Sequence, residues 1–286
     1  MSLTDAPGTA VAARPSEAVA LLRSRRFTAL TGAGMSTDSG IPDYRGPGAG
    51  SRPVTPMTYQ EFVSGPRAQQ RYWARSFVGW SRMHDAVPNA GHHALARLEG
   101  AGHCAGVVTQ NVDGLHEQAG SQRLVALHGR IAEVVCLGCG DRMSRAVLQR
   151  EMAEVNPEWP DRHAAAPARP DGDVDVDETA GFVVPDCTRC GGVLKPDVVF
   201  FGENVPRDRV ARCYDLVDST TALLVLGSSL TVMSGFRFVR HAAKLGVPVV
   251  IVNRGRTRGD DLAAYKLEVG TTEFLTDPAW DVDHER

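Results

Sequence analysis

Lysine is nearly missing from this chain: Lys195, Lys244 and Lys266 are the only three among 31 basic residues, which stand against 34 acidic ones. The formal net charge of −3 gives no bulk positive field, so binding to nucleic acid by counterion release is not the default, and the arginine-rich usage reads as coding bias. Long hydrophobic runs are absent too. The longest, such as 222–226 and 247–252, fall far short of the roughly 20 apolar residues that cross a bilayer. The start, Met-Ser-Leu-Thr-Asp, has no charged segment followed by an apolar stretch and a cleavage site. Asp5 and Glu17 interrupt the acid-poor pattern of a transit peptide. The expectation is a cytoplasmic protein with neither a membrane nor a nucleic-acid partner. What is present is ordinary for a globular protein: 286 residues, 43% hydrophobic and 23% charged. That length suffices for one large domain with a smaller appendage, or for two domains, and no metal or disulfide is needed merely to make a core.

The six cysteines are not scattered. Cys136-Leu-Gly-Cys139 and Cys187-Thr-Arg-Cys190 are two CxxC pairs, each followed at once by a glycine, Gly140 and Gly191. A CxxC knuckle turns the backbone so that two thiolates converge on one cation, and two knuckles complete the tetrahedron that zinc prefers. Disulfides are the weaker alternative in a cytoplasmic chain, with a redox pair or free thiols as the others. Four thiolates leave no open coordination position, which makes the expected Zn2+ structural rather than catalytic. The pairs lie further apart than in an ordinary zinc ribbon. Residues 157–179, rich in Pro, Ala, Asp and Arg, read as a loop inserted between them. Cys104 and Cys213 sit in apolar or helical context and are expected to be buried without a further role.

Elsewhere, short β-prone runs alternate with helix-like segments such as 90–98 and 207–217. Run 27–31 ends in Gly32-Ala33-Gly34, 106–109 in Gln110-Asn111, 124–127 in His128, 222–226 in Gly227-Ser228-Ser229, and 247–252 in Asn253. The alternation predicts an α/β fold, a Rossmann-like doubly wound parallel sheet of right-handed βαβ units, with a smaller zinc-ribbon and helical domain inserted. The expected division gives 15–48, 88–130 and 194–278 to the larger domain, 49–87 and 131–193 to the smaller, and 1–14 and 279–286 to tails. Ligands of such sheets bind beyond the carboxyl ends of the strands, so five polar clusters are expected to share one crevice. The first, Thr31-Gly32-Ala33-Gly34-Met35-Ser36, is expected to open a helix, with glycines that let backbone N–H groups approach a diphosphate. Thr37 replaces the third glycine of GxGxxG, and no acidic residue follows about 20 positions on. An ordinary hydride-transferring dehydrogenase therefore fits poorly, and a tight turn without a ligand is the alternative for this motif taken alone.

The neighbouring motifs carry more. Gly40-Ile41-Pro42-Asp43-Tyr44-Arg45 follows the glycine loop, then Thr109-Gln110-Asn111-Val112-Asp113-Gly114-Leu115-His116, Leu127-His128-Gly129, the two knuckles, Lys195-Pro196-Asp197-Val198-Val199-Phe200-Phe201-Gly202-Glu203, Gly227-Ser228-Ser229-Leu230 and Val252-Asn253. In this order the set resembles the sirtuins, the NAD-dependent protein deacylases, over nearly the whole chain. Arg71-Tyr72-Trp73-Ala74-Arg75 and Phe77-Val78-Gly79-Trp80 look more like class II, which holds the mitochondrial lipoamidase-type sirtuins and their bacterial relatives.

The resemblance implies that NAD serves as an electrophile: nicotinamide leaves its ribose, and the carbonyl oxygen of an acylated lysine attacks there. Asn111 and Asp113, with Gln110 beside them, would lie near the ribose and nicotinamide, where a carboxamide and a carboxylate suit a cationic transition state. Loop capping is the alternative for Asn111 and Asp113. A ribose hydroxyl must next lose a proton to a base that titrates near neutrality, and of nine histidines His128 stands at the family's base position. His116 is assigned a packing role. The resemblance further implies NAD contacts from Gly32, Ala33, Gly34, Asp43, Tyr44, Arg45, Gly227, Ser228, Ser229, Asn253, Arg254, Gly255 and Thr271. The peptide or protein substrate would add as a strand between 199–203, with Val199 and Phe200 in contact, and 230–235.

Tyr72 and Arg75, three apart on an expected helix, look like the pair with which desuccinylase-type sirtuins hold an acyl carboxylate, whereas Ala74, Trp73 and Phe77 look like the lipoamidase type. An ion pair is the other role open to Arg75. Acyl chains ending in a carboxylate, with acetyl-lysine a poor substrate, are the expectation from that pair. Mono-ADP-ribosyl transfer, NAD glycohydrolysis or lipoamidase activity in the same pocket remains the alternative function. A non-enzymatic zinc-ribbon module would leave the glycine loop and Gln110-Asn111-Val112-Asp113 unexplained.

Overall fold

The computed structural model describes residues 14–44, 56–159 and 179–281. Arg45 and most of the expected 157–179 insert lie outside them. Six strands form one parallel sheet in the order β3-β2-β1-β7-β8-β9: β1 (Phe27–Thr31), β2 (Cys104–Thr109), β3 (Leu124–Ala126), β7 (Ala222–Leu226), β8 (Val249–Val252) and β9 (Tyr265–Leu267). Helices cover both faces, which is why the central strands are buried along their whole length rather than at alternate residues. On one face α1 (Pro15–Arg23), α4 (Ala90–Gly100) and α9 (Thr271–Leu275) pack on Ala29, Leu224, Leu226 and Val250. On the other, α7 (Arg207–Asp218) and α8 (Met233–Lys244) pack on Leu30, Leu223, Val225 and Ile251. Strand order runs outward in both directions from β1 and β7, so the crevice between their carboxyl ends is the topological switch point where such sheets bind ligands.

A second, antiparallel sheet has the order β5-β4-β6, from β4 (Gly129–Cys136), β5 (Arg142–Ser144) and β6 (Leu194–Val198). Its β6 falls inside the stretch that the sequence grouped with the larger domain. Nothing local in such a run names its pairing partner. Helices α2 (Tyr59–Phe62), α3 (Pro66–Asp85) and α6 (Arg145–Val155) share a core with this sheet, built on Trp73, Phe77, Phe182, Val134 and Leu194. The Arg145 guanidinium lies between the Trp73 and Trp80 rings, 5.2 and 4.9 Å from their centroids. Helix α3 starts with Pro66 at its first turn and stops before Pro88, as proline restricts the residue ahead of it. His84 stacks on Trp80 in its last turn.

The glycine loop departs from expectation. Among the described residues directly after β1, 32–44, there is no α-helix; two single 3-10 turns, Ala33–Met35 and Thr37–Ser39, take its place, and Gly40 ends them in the left-handed region at φ 82°. A Cβ on Gly32 or Gly34 would lie 2.8 Å from Gly227 atoms, so these glycines let two loops touch backbone to backbone. Their N–H groups donate to Leu226 and Gly227 carbonyls, not outward. The expected diphosphate site at a helix N-terminus is therefore not built here. Asn89 steadies the loop instead, capping α4 through Gly91 and His92 while its Nδ2 donates to the Met35 carbonyl at 2.9 Å.

Candidate active site

Loops at the ends of β1, β2, β7 and β8, together with His128 just beyond β3, line one cleft of about 570 Å3, a volume suited to a sizeable ligand. Of the residues expected at the site, Gly32, Ala33, Gly34, Asp43, Tyr44, Gln110, Asn111, Asp113, His128, Gly227, Ser228, Ser229, Asn253, Arg254, Gly255, Tyr72, Val199 and Phe200 line it. Thr271 and Arg75 are not among its lining residues. Thr271 is buried and donates to the Gly34 carbonyl at 3.2 Å, so it holds the glycine loop from behind. Tyr72 reaches the cleft through an aromatic cluster with Phe62 and Phe200, at centroid distances of 5.5 and 5.1 Å.

The loop after β2 is tied down on both sides. Gln110 Nε2 donates to Ser228 Oγ at 2.9 Å, and Asn111 Nδ2 to the Gly32 carbonyl and to Ser36 Oγ, each at 3.1 Å. Ser36 in turn donates to Asp113 Oδ2 at 2.7 Å, while Leu115 N–H donates to Oδ1 at 3.0 Å. Burial pushes the Asp113 carboxyl up, and these two donors pull the other way. The wholly buried Ser36, which the sequence reading passed over as part of a glycine motif, is thus the hub between Asn111 and Asp113.

His128 Nδ1 lies 2.9 Å from the Gln110 carbonyl oxygen and Nε2 lies 2.8 Å from Ser234 Oγ. Burial, the largest influence, pushes its imidazole down to about 4, with Arg209 adding to the effect and the Gln110 carbonyl opposing it. The ring is therefore neutral at pH 7, and it titrates well below the near-neutral range that the sequence reading gave the base. Gly129 has φ 84°, and a Cβ there would lie 1.9 Å from the Asp197 carbonyl oxygen. This glycine allows the close approach of β6. The His128 carbonyl accepts from Val199 N–H at 2.8 Å, which ties the ring's backbone to the 199–203 segment.

That segment rests on a buried ion pair which sequence reasoning quoted within a motif but assigned no role. Lys195 Nζ lies 3.0 Å from Glu203 Oε2, donates to the Val198 carbonyl at 2.5 Å and sits 4.6 Å from the Phe200 ring centroid. Glu203 Oε2 also accepts from Phe200 N–H at 2.8 Å. Burial pulls the Lys195 ammonium down, and Glu203 opposes it. Across the cleft, Leu230 is the one non-glycine residue with positive φ among those described, at 56°.

The four knuckle sulfurs lie within 4.8 Å of one another. Cys136 and Cys190 Sγ are 3.5 Å apart, and Cys139 and Cys187 Sγ 3.8 Å. A tetrahedron with Zn–S bonds of about 2.3 Å has edges of about 3.8 Å. Gly140 and Gly191, which follow the two pairs, take φ of 72° and 69° to close the knuckles. A Cβ on Gly192 would lie 2.9 Å from Cys136 Sγ, so the cluster leaves no room for a side chain.

A model of the Sir2 family matches residues 32–234. The chain belongs to that family. It is 56% identical over 262 residues to an "NAD-dependent protein deacetylase 1" of Mycobacterium avium, covering 91% of this chain and 92% of that one. An "NAD-dependent protein deacetylase" of Xanthomonas campestris is 53% identical over 255 residues, covering 88% and 86%. Among solved structures, one described as "Sir2-p53 peptide-NAD+" superposes with a TM-score of 0.73 at 32% identity, covering 94% of this chain and 98% of that one. The residues of this sirtuin fit both groups that its family implies. The sulfur spacing suits one zinc ion. For NAD, the cleft lies at the switch point, its floor is glycine backbone, the Ser228 and Ser229 hydroxyls line it, and Arg254 and Arg256 bring positive charge for phosphates.

Proposed function

We propose that this sirtuin is an NAD-dependent protein-lysine deacylase that transfers the acyl group to ADP-ribose, releasing nicotinamide and O-acyl-ADP-ribose. The observation that carries the reading is the orientation of His128 in the cleft. The Gln110 carbonyl can only accept, so Nδ1 keeps the ring proton and Nε2 keeps its lone pair, the form a general base needs. When bound, NAD supplies an electrophilic ribose carbon with nicotinamide as its leaving group. On this reading His128 Nε2 takes the proton of a ribose hydroxyl. Asn111 and Asp113, cross-linked through Ser36, orient the ribose and nicotinamide end, with Gln110 beside them. Ala33, Asp43 and Tyr44 enclose that end, Gly227, Ser228 and Ser229 meet the phosphates, and Asn253, Arg254 and Gly255 meet the adenosine. An acyl-lysine peptide lies as an added strand against Val199 and Phe200, with its acyl chain toward Tyr72. The larger sheet serves as the NAD-binding domain and the smaller as the zinc domain.

No helix among the described residues is long and apolar enough to cross a membrane, and a cytoplasmic setting belongs to the same proposal. Membership of class II rests on 71–80 and is proposed with it. The test is a panel of acetyl, succinyl, glutaryl and lipoyl peptides assayed with and without NAD, following O-acyl-ADP-ribose against protein-bound ADP-ribose. His128→Ala should lower deacylation by roughly 100-fold or more, the usual worth of a general base, while NAD still binds. Near-normal turnover in the folded variant, or ADP-ribose accumulating on protein in place of the acyl ester, would refute the reading.

A further inference from the structure

Ser234 was placed only within the 230–235 stretch expected beside the peptide and was given no role of its own, yet it touches the proposed base. It lies in the first turn of α8, where Val232 caps the helix without a side-chain hydrogen bond. Its Oγ is 2.8 Å from His128 Nε2. Because Nδ1 holds the ring proton against the Gln110 carbonyl, the Ser234 hydroxyl must be the donor and the Nε2 lone pair the acceptor.

The two contacts on the ring are mechanically linked. A Cβ on Gly235 would lie 2.4 Å from Gln110 Oε1, so the start of α8 is pressed against the same residue whose carbonyl holds Nδ1. Phe236 N–H and Gly235 N–H both donate to the Val232 carbonyl, which fixes the turn carrying Ser234. The imidazole is thus held at one nitrogen by the β2 loop and at the other by α8, and these two supports lean on each other.

We propose that Ser234 is a positioning residue for His128: its hydroxyl holds the ring with Nε2 toward the cleft, and it turns from donor to acceptor when Nε2 gains a proton. Nε2 has one lone pair and Ser234 occupies it, so the hydroxyl first rotates its hydrogen away; the ribose O–H bond then breaks, its electron pair stays on oxygen, the proton goes to Nε2, and the new N–H lies between the ribose oxygen and Ser234 Oγ, which now accepts. A hydroxyl can serve both states by rotating about one bond, without the ring moving. The proposal rests on the reading of His128 as base.

The experiment uses the full chain with NAD and whichever acyl peptide of the panel is turned over best, comparing Ser234→Ala, Ser234→Thr and His128→Ala. Ser234→Ala should lower kcat about 10-fold, the worth of one hydrogen bond to a group that becomes charged, with KM for NAD and peptide changed less than about twofold. Ser234→Thr, which keeps the hydroxyl, should restore most of kcat, and Ser234→Ala should add nothing in a His128→Ala background. A kcat within about twofold of the parent for Ser234→Ala, while His128→Ala is inactive, overturns the proposal and leaves the base reading standing. Full activity of His128→Ala would fail the base reading instead. The 15N shifts of the His128 ring in the parent protein test the same point without any variant. Protonated Nδ1 with unprotonated Nε2 is expected, and the opposite tautomer overturns the proposal.

Discussion

Lys195 is one of three lysines in the chain, and it is almost fully buried. Its ammonium links the Val198 carbonyl to Glu203, and Glu203 holds the Phe200 N–H, so one charge pair shapes the wall against which a peptide would lie. Removing one member of a buried pair strands the other. Lys195→Met should therefore cost about 3 kcal/mol in urea unfolding, the lower end for such a pair because Glu203 is partly in water. The same substitution should raise the peptide KM more than the NAD KM. Unchanged stability, or equal shifts in both constants, would show that the pair does not support this wall. The sequence displayed Lys195 and Glu203 plainly, eight positions apart in one motif, but their meeting depends on the turn between β6 and Phe201, which no local pattern encodes. Ser36 was hidden in the same way, since its partners Asn111 and Asp113 lie on another loop.

At the scale of elements, the knuckles were the most legible feature, because both the residue types and the glycines after them are dictated by the geometry they must adopt. They join the end of β4 to the segment leading into β6 and bracket the residues between. Metal binding should therefore be coupled to the folding of the smaller sheet. Cys136→Ala or Cys187→Ala should abolish bound zinc by elemental analysis and lower the melting temperature, with activity reduced in parallel. Full activity in a zinc-free variant would sever that coupling. The strand ends were equally legible, since apolar runs closing in Gly, Asn or His mark where a buried sheet meets solvent. The turns after β1 were not. Gly32-Ala33-Gly34 suggested a helix start, but the glycines answer to Gly227, about 190 residues away in sequence, and only the assembled sheet reveals that contact.

For the molecule as a whole, the buried His92 and His116 and the half-buried His128 give stability a definite pH dependence. Burial lowers His92 and His128 to about 4 and His116 to about 3. Below about 6.5 the unfolded chain binds protons that the folded chain refuses, so their contribution is complete above that value and is lost as pH falls toward 4. Each histidine adds a slope of up to about 1.4 kcal/mol per pH unit in that window. Asp113, raised by burial, acts in the opposite sense, since the folded state takes up its proton first. The melting temperature should be nearly flat above pH 7 and drop between pH 6.5 and 4.5; a flat curve down to pH 4.5 would refute neutral burial of these rings. The seam where Gly32 and Gly34 meet Gly227 has a different kind of consequence. Main chain bears on main chain there, so the spacing of the cleft floor is a constant of covalent geometry, and mutation can redecorate the walls above it but has no side chain available with which to retune that gauge.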